Sequence, residues 1–543
     1  MNTQTINGKN YRNMMISARQ SLLDQQEIIN SLNVFPVPDG DTGTNMTLTV
    51  EAAIKELNKS ETENIDELAE AVANGSLMGA RGNSGVILSQ LFRGFAKSLK
   101  TKKEITVKDI AMAMKNASDT AYQAVMKPTE GTILTVARES ADAAMMLAEK
   151  EEDIERFLRL VILKANESLE RTPDQLRVLK EAGVVDSGGK GLVAIMEGAL
   201  KGIFGEKDFV LDKNKDNQEN YPYLYEVDPG EIHFGYCTEF IINAKDADVA
   251  IFKSKITHHG DSMLVVANEK LMKVHIHTNH PGKVLEEALK IGDLTDIKID
   301  NMKLQHQHKN FKPKEEKVTT DNVSSKPYGM ISVAMGQGLK SIMEDFCVDV
   351  IIEGGQTMNP STEDFLNAIE KIDAEHIFIM PNNSNIIMAA NQAKGISDKS
   401  ITVIPTKTIP QGISAILAFN PDVKPTENEL AMNQAIREVK TGQVTYAVRD
   451  TSFNGMTISK DEIIGLSDKE IRSAGNNLNE VSAELVEKMI TVQDEIMTIY
   501  YGEDTTLEEA KELQKQMTLK YKDVEVEVYE GGQPLYYYII SIE

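Results

Sequence analysis

From residue 10 to about 205 the apolar positions return every three or four residues. Met46, Val50, Ala53, Ile54 and Leu57 stand at offsets of four, seven, eight and eleven, one apolar stripe on a helix. Segments 65–78, 84–98, 107–125, 131–149, 153–170 and 188–203 repeat the pattern. β-rich runs are scarce here, so the pattern predicts an all-α domain of about eight antiparallel helices over residues 1–205.

The period then changes. "FGEKDFVLDKNKDNQENYPYLYEVDPGE" is polar and reads as a linker, as does the Lys-, Ser- and Thr-rich stretch 307–329. Between them "CTEFIINA", "SMLVVAN", "LMKVHIHT" and "LTDIKIDN" read as strands, with "DVAIFKSKITHH" and "GKVLEEALKIG" as helices. The order β-α-β-β-α-β predicts a ferredoxin-like middle domain over 206–310, followed by a linker at 311–328. From 329 to 543, "YGMISVAMG", "VDVIIEGG", "HIFIMPNN" and "ITVIPTK" alternate with helical segments, which predicts a parallel α/β sheet. The end, "IMTIYYG", a helix near 505–519, "VEVEVYEGG" and "YYYIISIE", reads as a further α+β subdomain.

Composition narrows the function. The chain has 543 residues, a net charge of −25 and a pI near 4.9. That acidity argues against a nucleic-acid-coating surface and favours a basic protein partner. The sequence has no apolar run of about 18 residues to cross a membrane, and "MNTQTINGKNYRN" has no apolar signal core. Its two cysteines, Cys237 and Cys347, make no disulfide scaffold, and the expected compartment is the cytoplasm.

Three glycine-rich loops open helices in the first domain. In "PVPDGDTGTNM", Asp39 and Asp41 are two apart on a loop that runs into a helix. Hard carboxylate oxygens at that spacing suit Mg²⁺, and the N–H groups of Thr42, Gly43, Thr44 and Asn45 at a helix start attract phosphate. A solvated Asp-Gly turn with an aspartate cap fits the same residues. "GARGNSGVI" carries Asn83 or Ser84 as a cap and Gly82 and Gly85 for close backbone approach, and a plain helix–helix turn fits it equally. It has no G-K-[ST] of a Walker loop and no preceding strand of a Rossmann fingerprint. "GVVDSGGKGL" repeats the theme, and three such loops at helix starts point to one convergent site.

"DGDTGTNM", "GARGNSGVILSQ", "TEGTILTVARES" and "GVVDSGGKGL" together resemble the nucleotide-binding domain of dihydroxyacetone kinases of the L-subunit type. The three-part layout resembles the ATP-binding kinase component of the bacterial fatty acid kinase system. The resemblance implies an eight-helix barrel holding ATP and two Mg²⁺. It implies Asp39 and Asp41 as metal ligands, with Thr42 to Asn45, Asn83, Ser84 and Gly85 on the phosphates. Thr132 then lies at the nucleoside, and Asp186, Ser187 and Gly188 close the site. Dihydroxyacetone kinases carry a third aspartate just upstream, where this chain offers Asn33 as a neutral oxygen ligand.

In "VHIHTNH", His275 and His277 share a strand face, and a ferredoxin-like sheet sets that strand beside the one carrying Cys237. Such a triplet serves as a zinc site or as catalytic residues, and the resemblance favours catalysis. Two exposed strand histidines and a buried cysteine fit the same pattern. His258, His259, His280, His306 and His308 read as helix-end or linker residues. The C-terminal loops "GQG", "EGGQTMNPS" and "PNNSN" follow parallel strands, where α/β ligands bind. This region resembles the DegV-type fatty-acid-binding fold and is expected to dock a carrier. The expected activity is phosphoryl transfer from ATP to a fatty-acid carboxylate presented by a separate fatty-acid-binding protein. The resemblance also implies a homodimer through the middle domain. A dihydroxyacetone-type kinase and a nucleotide-bound regulatory scaffold are the alternatives.

Overall fold

The computed structural model describes residues 4–34, 40–125, 127–204, 236–243, 252, 255–256, 259–267, 271–301, 326–355, 359–447, 451–453, 456–467 and 470–543. The chain forms two compact units, Met1–Phe209 with Ser324–Glu543 and, separately, Val210–Val323. Asp39, both polar linker cores, His258, His306 and His308 lie outside the described residues.

The first part of the larger unit is helical. It runs through α1 (Gly8–Asp24), α2 (Gln26–Ser31), α3 (Thr42–Lys59), α4 (Ile65–Met78), α5 (Gly82–Ser98), α6 (Val107–Ala124), α7 (Ile133–Leu147), α8 (Ile154–Glu170), the short α9 (Thr172–Gln175) and α10 (Arg177–Ala182), and α11 (Ser187–Phe204). β1 (Ile6–Asn7) pairs antiparallel with β2 (Glu104–Ile105). The stripe read from the sequence is the buried one: Met46, Val50, Ala53 and Leu57 have no exposed surface. Local signals set the starts. Thr106 and Asp109 form a reciprocal capping box at α6, and Asn7 and Asn10 do so at α1.

The long helices α1, α3, α4, α5, α6, α7, α8 and α11 each pack on the next, and α11 returns to α1. That last contact explains glycines that α11 carries in its interior, each costing about 1 kcal/mol of helix propensity. A Cβ on Gly198 would sit 2.7 Å from the Ala18 Cα, and one on Gly202 would sit 2.4 Å from the Asn13 carbonyl oxygen. Two backbones approach where no side chain fits.

The smaller unit holds β3 (Tyr236–Asn243), β4 (Gly260–Ala267), β5 (Leu271–Thr278), α12 (Pro281–Leu289) and β6 (Asp293–Asn301). The sheet order is β4-β5-β3-β6, and every pairing is antiparallel. Phe240, Ile242, Met272, Val274 and Ile276 form its core with Val284 and Ala288 of α12.

The C-terminal part of the larger unit begins with the parallel sheet expected from the sequence. β7 (Lys326–Ala334), β8 (Val350–Glu353), β9 (Ala374–Met380) and β10 (Ile401–Val403) lie in the order β10-β9-β7-β8. The helices α13 (Gln337–Asp345), α14 (Thr362–Glu370), α15 (Ile387–Ile396), α16 (Ile409–Leu417) and α17 (Pro425–Glu438) alternate with them or follow them. Then come β11 (Lys440–Tyr446), the β12 (Thr451–Phe453) and β13 (Met456–Ile458) pair, β14 (Ile463–Ser467), β15 (Glu470–Gly475), α18 (Leu478–Met489), β16 (Ile496–Tyr501), α19 (Leu507–Lys520), β17 (Glu525–Glu530) and β18 (Tyr538–Ile542). The terminal segment does not stand apart as a subdomain of its own. β18 pairs with both β11 and β16, giving a six-stranded mixed sheet that also takes in 440–475. That region hid in the sequence because β11 buries only Gly442 and Val444, too few positions for a clear alternation.

Candidate functional site

The starts of α3, α5, α7 and α11 meet. The Ser187 hydroxyl donates to Thr42 Oγ1 at 3.2 Å, which ties the loop of α11 to that of α3. Gly188 lies against Ile133, the first residue of α7; a Cβ there would sit 3.2 Å from the Ile133 Cβ. Gly82 lies against the Asn45 side chain with φ +57°, a left-handed conformation that glycine adopts without strain. The Arg81 N–H donates to Thr49 Oγ1 at 3.3 Å, and Gly85 packs on that same hydroxyl.

At α3 the cap position belongs to Asp41, yet its carboxylate makes no side-chain cap bond there. The capping comes from Asn30 of α2. Its Oδ1 accepts the Thr44 N–H at 3.1 Å, and its Nδ2 donates to Thr44 Oγ1 at 3.1 Å. No local pattern marks Asn30 for this role, since its partner lies fourteen residues away. Asn33 is buried close by in the chain, with its N–H on the Asn30 carbonyl at 3.1 Å.

At α11 the look-alike aspartate behaves otherwise. Asp186 is buried, its Oδ2 accepts the Gly189 N–H at 2.7 Å, and it also accepts the Ile133 N–H. Desolvation pushes its carboxyl up to about 6 from an ordinary 3.8, against the lowering effect of those two bonds. Asp186 thus joins α7 to α11 as a cap.

A further expectation changes. Neither Asn83 nor Ser84 caps α5, whose cap position is Arg81 with no side-chain bond. The left-handed turn at Gly82 starts the helix earlier, and Asn83 Nδ2 donates to Asn385 Oδ1 at 3.2 Å. Thr132, expected beside a nucleoside, caps α7. Its hydroxyl donates to the Thr129 carbonyl at 2.8 Å and accepts the Leu134 N–H at 3.4 Å, with little surface left exposed.

The C-terminal part closes over this cluster. The loop between β8 and α14 brings Asn359 to the start of α3, where its Nδ2 donates to the Asp41 carboxylate. The Arg81 guanidinium donates to the Asn359 carbonyl at 2.7 Å, Arg81 and Ser361 form an antiparallel bridge, and Asp364 lies 3.5 Å from Arg81. Gln392 of α15 donates to the Leu77 carbonyl at 3.3 Å. Ala80 and Val86 share one apolar cluster with Ile386, Ala389 and Ala390. Two loops expected to hold a ligand, around 359–361 and 381–385, therefore meet the helical part. The cavity at the strand ends, lined by Gly354, Asn382, Asn383, Gln533 and Tyr536, holds about 70 Å³. That is room for about two waters, against ~300–1,000 Å³ in ordinary ligand pockets.

The donor set near Asp41 is one of hard oxygens, which suits a hydrated Mg²⁺ better than zinc. Among the described residues no three His, Cys, Asp or Glu side chains group to hold a metal, a demand that Mg²⁺ with phosphate does not make. In the smaller unit, backbone register sets Cys237 opposite His277 and Glu239 opposite His275; the side chains of Cys237, His275 and His277 lie outside the described set.

The comparisons agree along the whole length. Residues 36–201 match the DAK2 domain, 233–309 the middle domain of the FakA-like fatty acid kinase proteins, and 329–543 their C-terminal domain. Protein YloV of Bacillus subtilis (strain 168) is 46% identical over 555 residues, covering 100% of both chains. Uncharacterized protein SAR1202 of Staphylococcus aureus (strain MRSA252) is 44% identical over 547 residues, covering 99% of each. Among solved structures, the DegV family protein Cg2579 from Corynebacterium glutamicum is similar at 13% identity and TM-score 0.32, over 40% of this chain and 97% of that one. The dihydroxyacetone kinase from C. freundii in complex with AMP-PNP and Mg²⁺ is similar at 16% identity and TM-score 0.29, over 35% of this chain and 33% of that one. Among the described residues no helix is long and apolar enough to cross a membrane.

Proposed function

This chain belongs to the FakA-like fatty acid kinase family, and from that premise we propose that it moves the γ-phosphoryl group of ATP onto a fatty-acid carboxylate. The acyl chain is presented by a separate fatty-acid-binding protein, and the products are an acyl phosphate and ADP. The observation that carries this reading is the Asp41 carboxylate. It is the N-cap residue of α3, at a convergence of four helix starts, yet makes no side-chain cap bond there, while the similar Asp186 caps α11.

The chain's own residues bind and orient. The starts of α3, α5 and α11 offer helix dipoles to phosphate, and in α3 the N–H groups of Thr42 and Gly43 serve rather than those of Thr44 and Asn45, which bond Asn30 and the Asp41 carbonyl. Asp41, with Asp39 and Asn33, holds the magnesium ions. Magnesium, when bound, offsets charge on the β- and γ-phosphates. A carboxylate oxygen of the fatty acid then attacks the γ-phosphorus. The new O–P bond forms as the bridging β–γ bond breaks, and that electron pair leaves with ADP. The nucleophile is already ionised, so no residue has to take a proton.

The finer architecture follows the same reading. The succession of eight helices that returns on itself is the nucleotide-holding barrel, residues 1–205. The antiparallel order β4-β5-β3-β6 supports a ferredoxin-like middle domain, 206–310, joined by a linker at 311–328 to the carrier-docking domain, 329–543. Cys237, His275 and His277 act together in catalysis, the middle domain pairs two copies in a homodimer, and the enzyme works in the cytoplasm.

The test is ADP release by the full chain with ATP and Mg²⁺. A carrier loaded with fatty acid should drive steady release with acyl phosphate formed, and dihydroxyacetone should not. Turnover with dihydroxyacetone alone would replace the acceptor, and tight nucleotide binding without turnover would make the chain a scaffold. Changing Cys237, His275 or His277 to Ala should cost turnover far more than ATP affinity, with non-additive losses. Co-purifying zinc that each change removes would assign them to a structural metal instead.

A further inference from the structure

Asn359 comes from the C-terminal part, yet its side chain sits at the start of α3 with 1% of its surface exposed. Its Nδ2 donates to the Asp41 carboxylate and reaches Asn45 Oδ1 at 3.4 Å. Its Oδ1 is buried with no hydrogen-bond partner among the described residues. Buried amide oxygens nearly always accept a hydrogen bond, so this one points to a donor from outside the chain. Turning the amide over gives no relief. The oxygen would then face the Asp41 carboxylate, and the nitrogen would lose both acceptors. Nor is the side chain loosely placed, because Arg81 grips its carbonyl at 2.7 Å and bridges Ser361 two residues on.

The missing donor has a definite chemistry. Mg²⁺ bound by one or two carboxylates keeps several waters, whose polarised O–H groups seek acceptors. Resting on the reading of Asp41 as a ligand, we propose that Asn359 is a positioning residue of the metal site. Its Nδ2 orients Asp41, and its Oδ1 accepts from a metal-bound water. The nucleotide site of the helical part is then completed by the C-terminal part. Metal binding and the seating of the 359–361 loop favour one another, since linkage is reciprocal. Groups in this outer position typically carry about 10–100-fold of metal affinity.

The experiment titrates Mg²⁺ against binding of a non-hydrolysable ATP analogue to the full-length chain by calorimetry, with thermal unfolding followed in parallel. Asn359→Ala should raise the Mg²⁺ concentration for half-maximal binding by about tenfold or more. Binding in EDTA should stay at the wild-type value. Asp41→Ala is the control for the underlying reading. If Asp41→Ala loses the Mg²⁺ dependence and Asn359→Ala keeps the wild-type curve, the role of Asn359 is wrong and that of Asp41 stands. If Asp41→Ala also keeps the wild-type curve, Asp41 is not a ligand and the proposal falls with it. A tighter curve for Asn359→Ala would make the contact a latch that competes with the metal, and would overturn the proposal. Should Asn359→Ala not fold, Asn359→Ser removes the amide, and its hydroxyl stops at the place of the amide carbon, short of both partners. A Ser curve shifted toward higher Mg²⁺ supports the role, and one that superimposes on wild type overturns it.

Discussion

Asp41-Thr-Gly and Asp186-Ser-Gly open two helices with nearly the same letters and opposite physics. Asp186 turns into the protein, accepts the Gly189 and Ile133 N–H groups, and holds two helices together. Asp41 leaves its own helix uncapped, lets Asn30 do that work from a distance, and faces Asn359 across a junction. Capping satisfies orphan N–H groups and so consumes a carboxylate's lone pairs. The lesson is to look for the residue that has taken over the cap.

The widest gap between the two should appear on Asp41→Ala. Phosphoryl transfer should fall below about one hundredth of wild type, while the unfolding midpoint stays within a few degrees, because the lost contacts are to ions. Near-normal turnover at limiting Mg²⁺ would erase the distinction. Asp186→Ala should do the reverse. It strands two buried N–H groups and should cost roughly 1–3 kcal/mol in denaturant unfolding, with a smaller loss of nucleotide affinity.

Asp186→Asn sharpens the contrast through pH. The folded-state pKa of Asp186, about 6, lies above its ordinary 3.8. Its protonated form is therefore favoured in the folded chain. The stability it lends is fully present below about pH 4 and is lost as pH rises through about 6. The change is on the order of 3 kcal/mol. Unfolding curves from pH 4 to 7 should show this decline in wild type and a flatter course in Asp186→Asn. The smallest effect belongs to the tie between the two loops. Ser187→Ala removes its hydrogen bond to Thr42 and should cost about 1 kcal/mol, readable in the same curves.

Much of this is legible in the letters alone because it is local. The buried stripe of α3, the parallel strands β7 to β10 and the three glycine-rich helix starts follow from spacing within a few residues. The division of labour between Asp41 and Asp186 is not legible there, since it depends on Asn30 and Ile133, far away in the chain. Nor is the use of 359–361 and 381–385 as a surface for the helical part. Glycine and asparagine after a parallel strand look the same whether they meet a ligand or another part of the protein. Asn83 misleads as a cap for a related reason: a polar residue near a helix start is ambiguous until its partner is known.

Apart from the contacts of Arg81 with Asp364 and Asn359 and of Asn359 with the Asp41 carboxylate, the junction between the helical and C-terminal parts joins neutral amides and small apolar side chains: Asn83 with Asn385, Asn359 with Asn45, Gln392 with a carbonyl, and Ala80 and Val86 in a shared cluster. Such contacts feel little of an electrolyte, whereas attraction between an acidic surface and a basic partner is screened beyond about 8 Å at physiological ionic strength. In a chain of net charge −25 the two kinds of association therefore respond differently to added salt. Potassium chloride should strip away a charged protein partner while the molecule's own halves stay joined, so that a salt wash separates assembly from architecture.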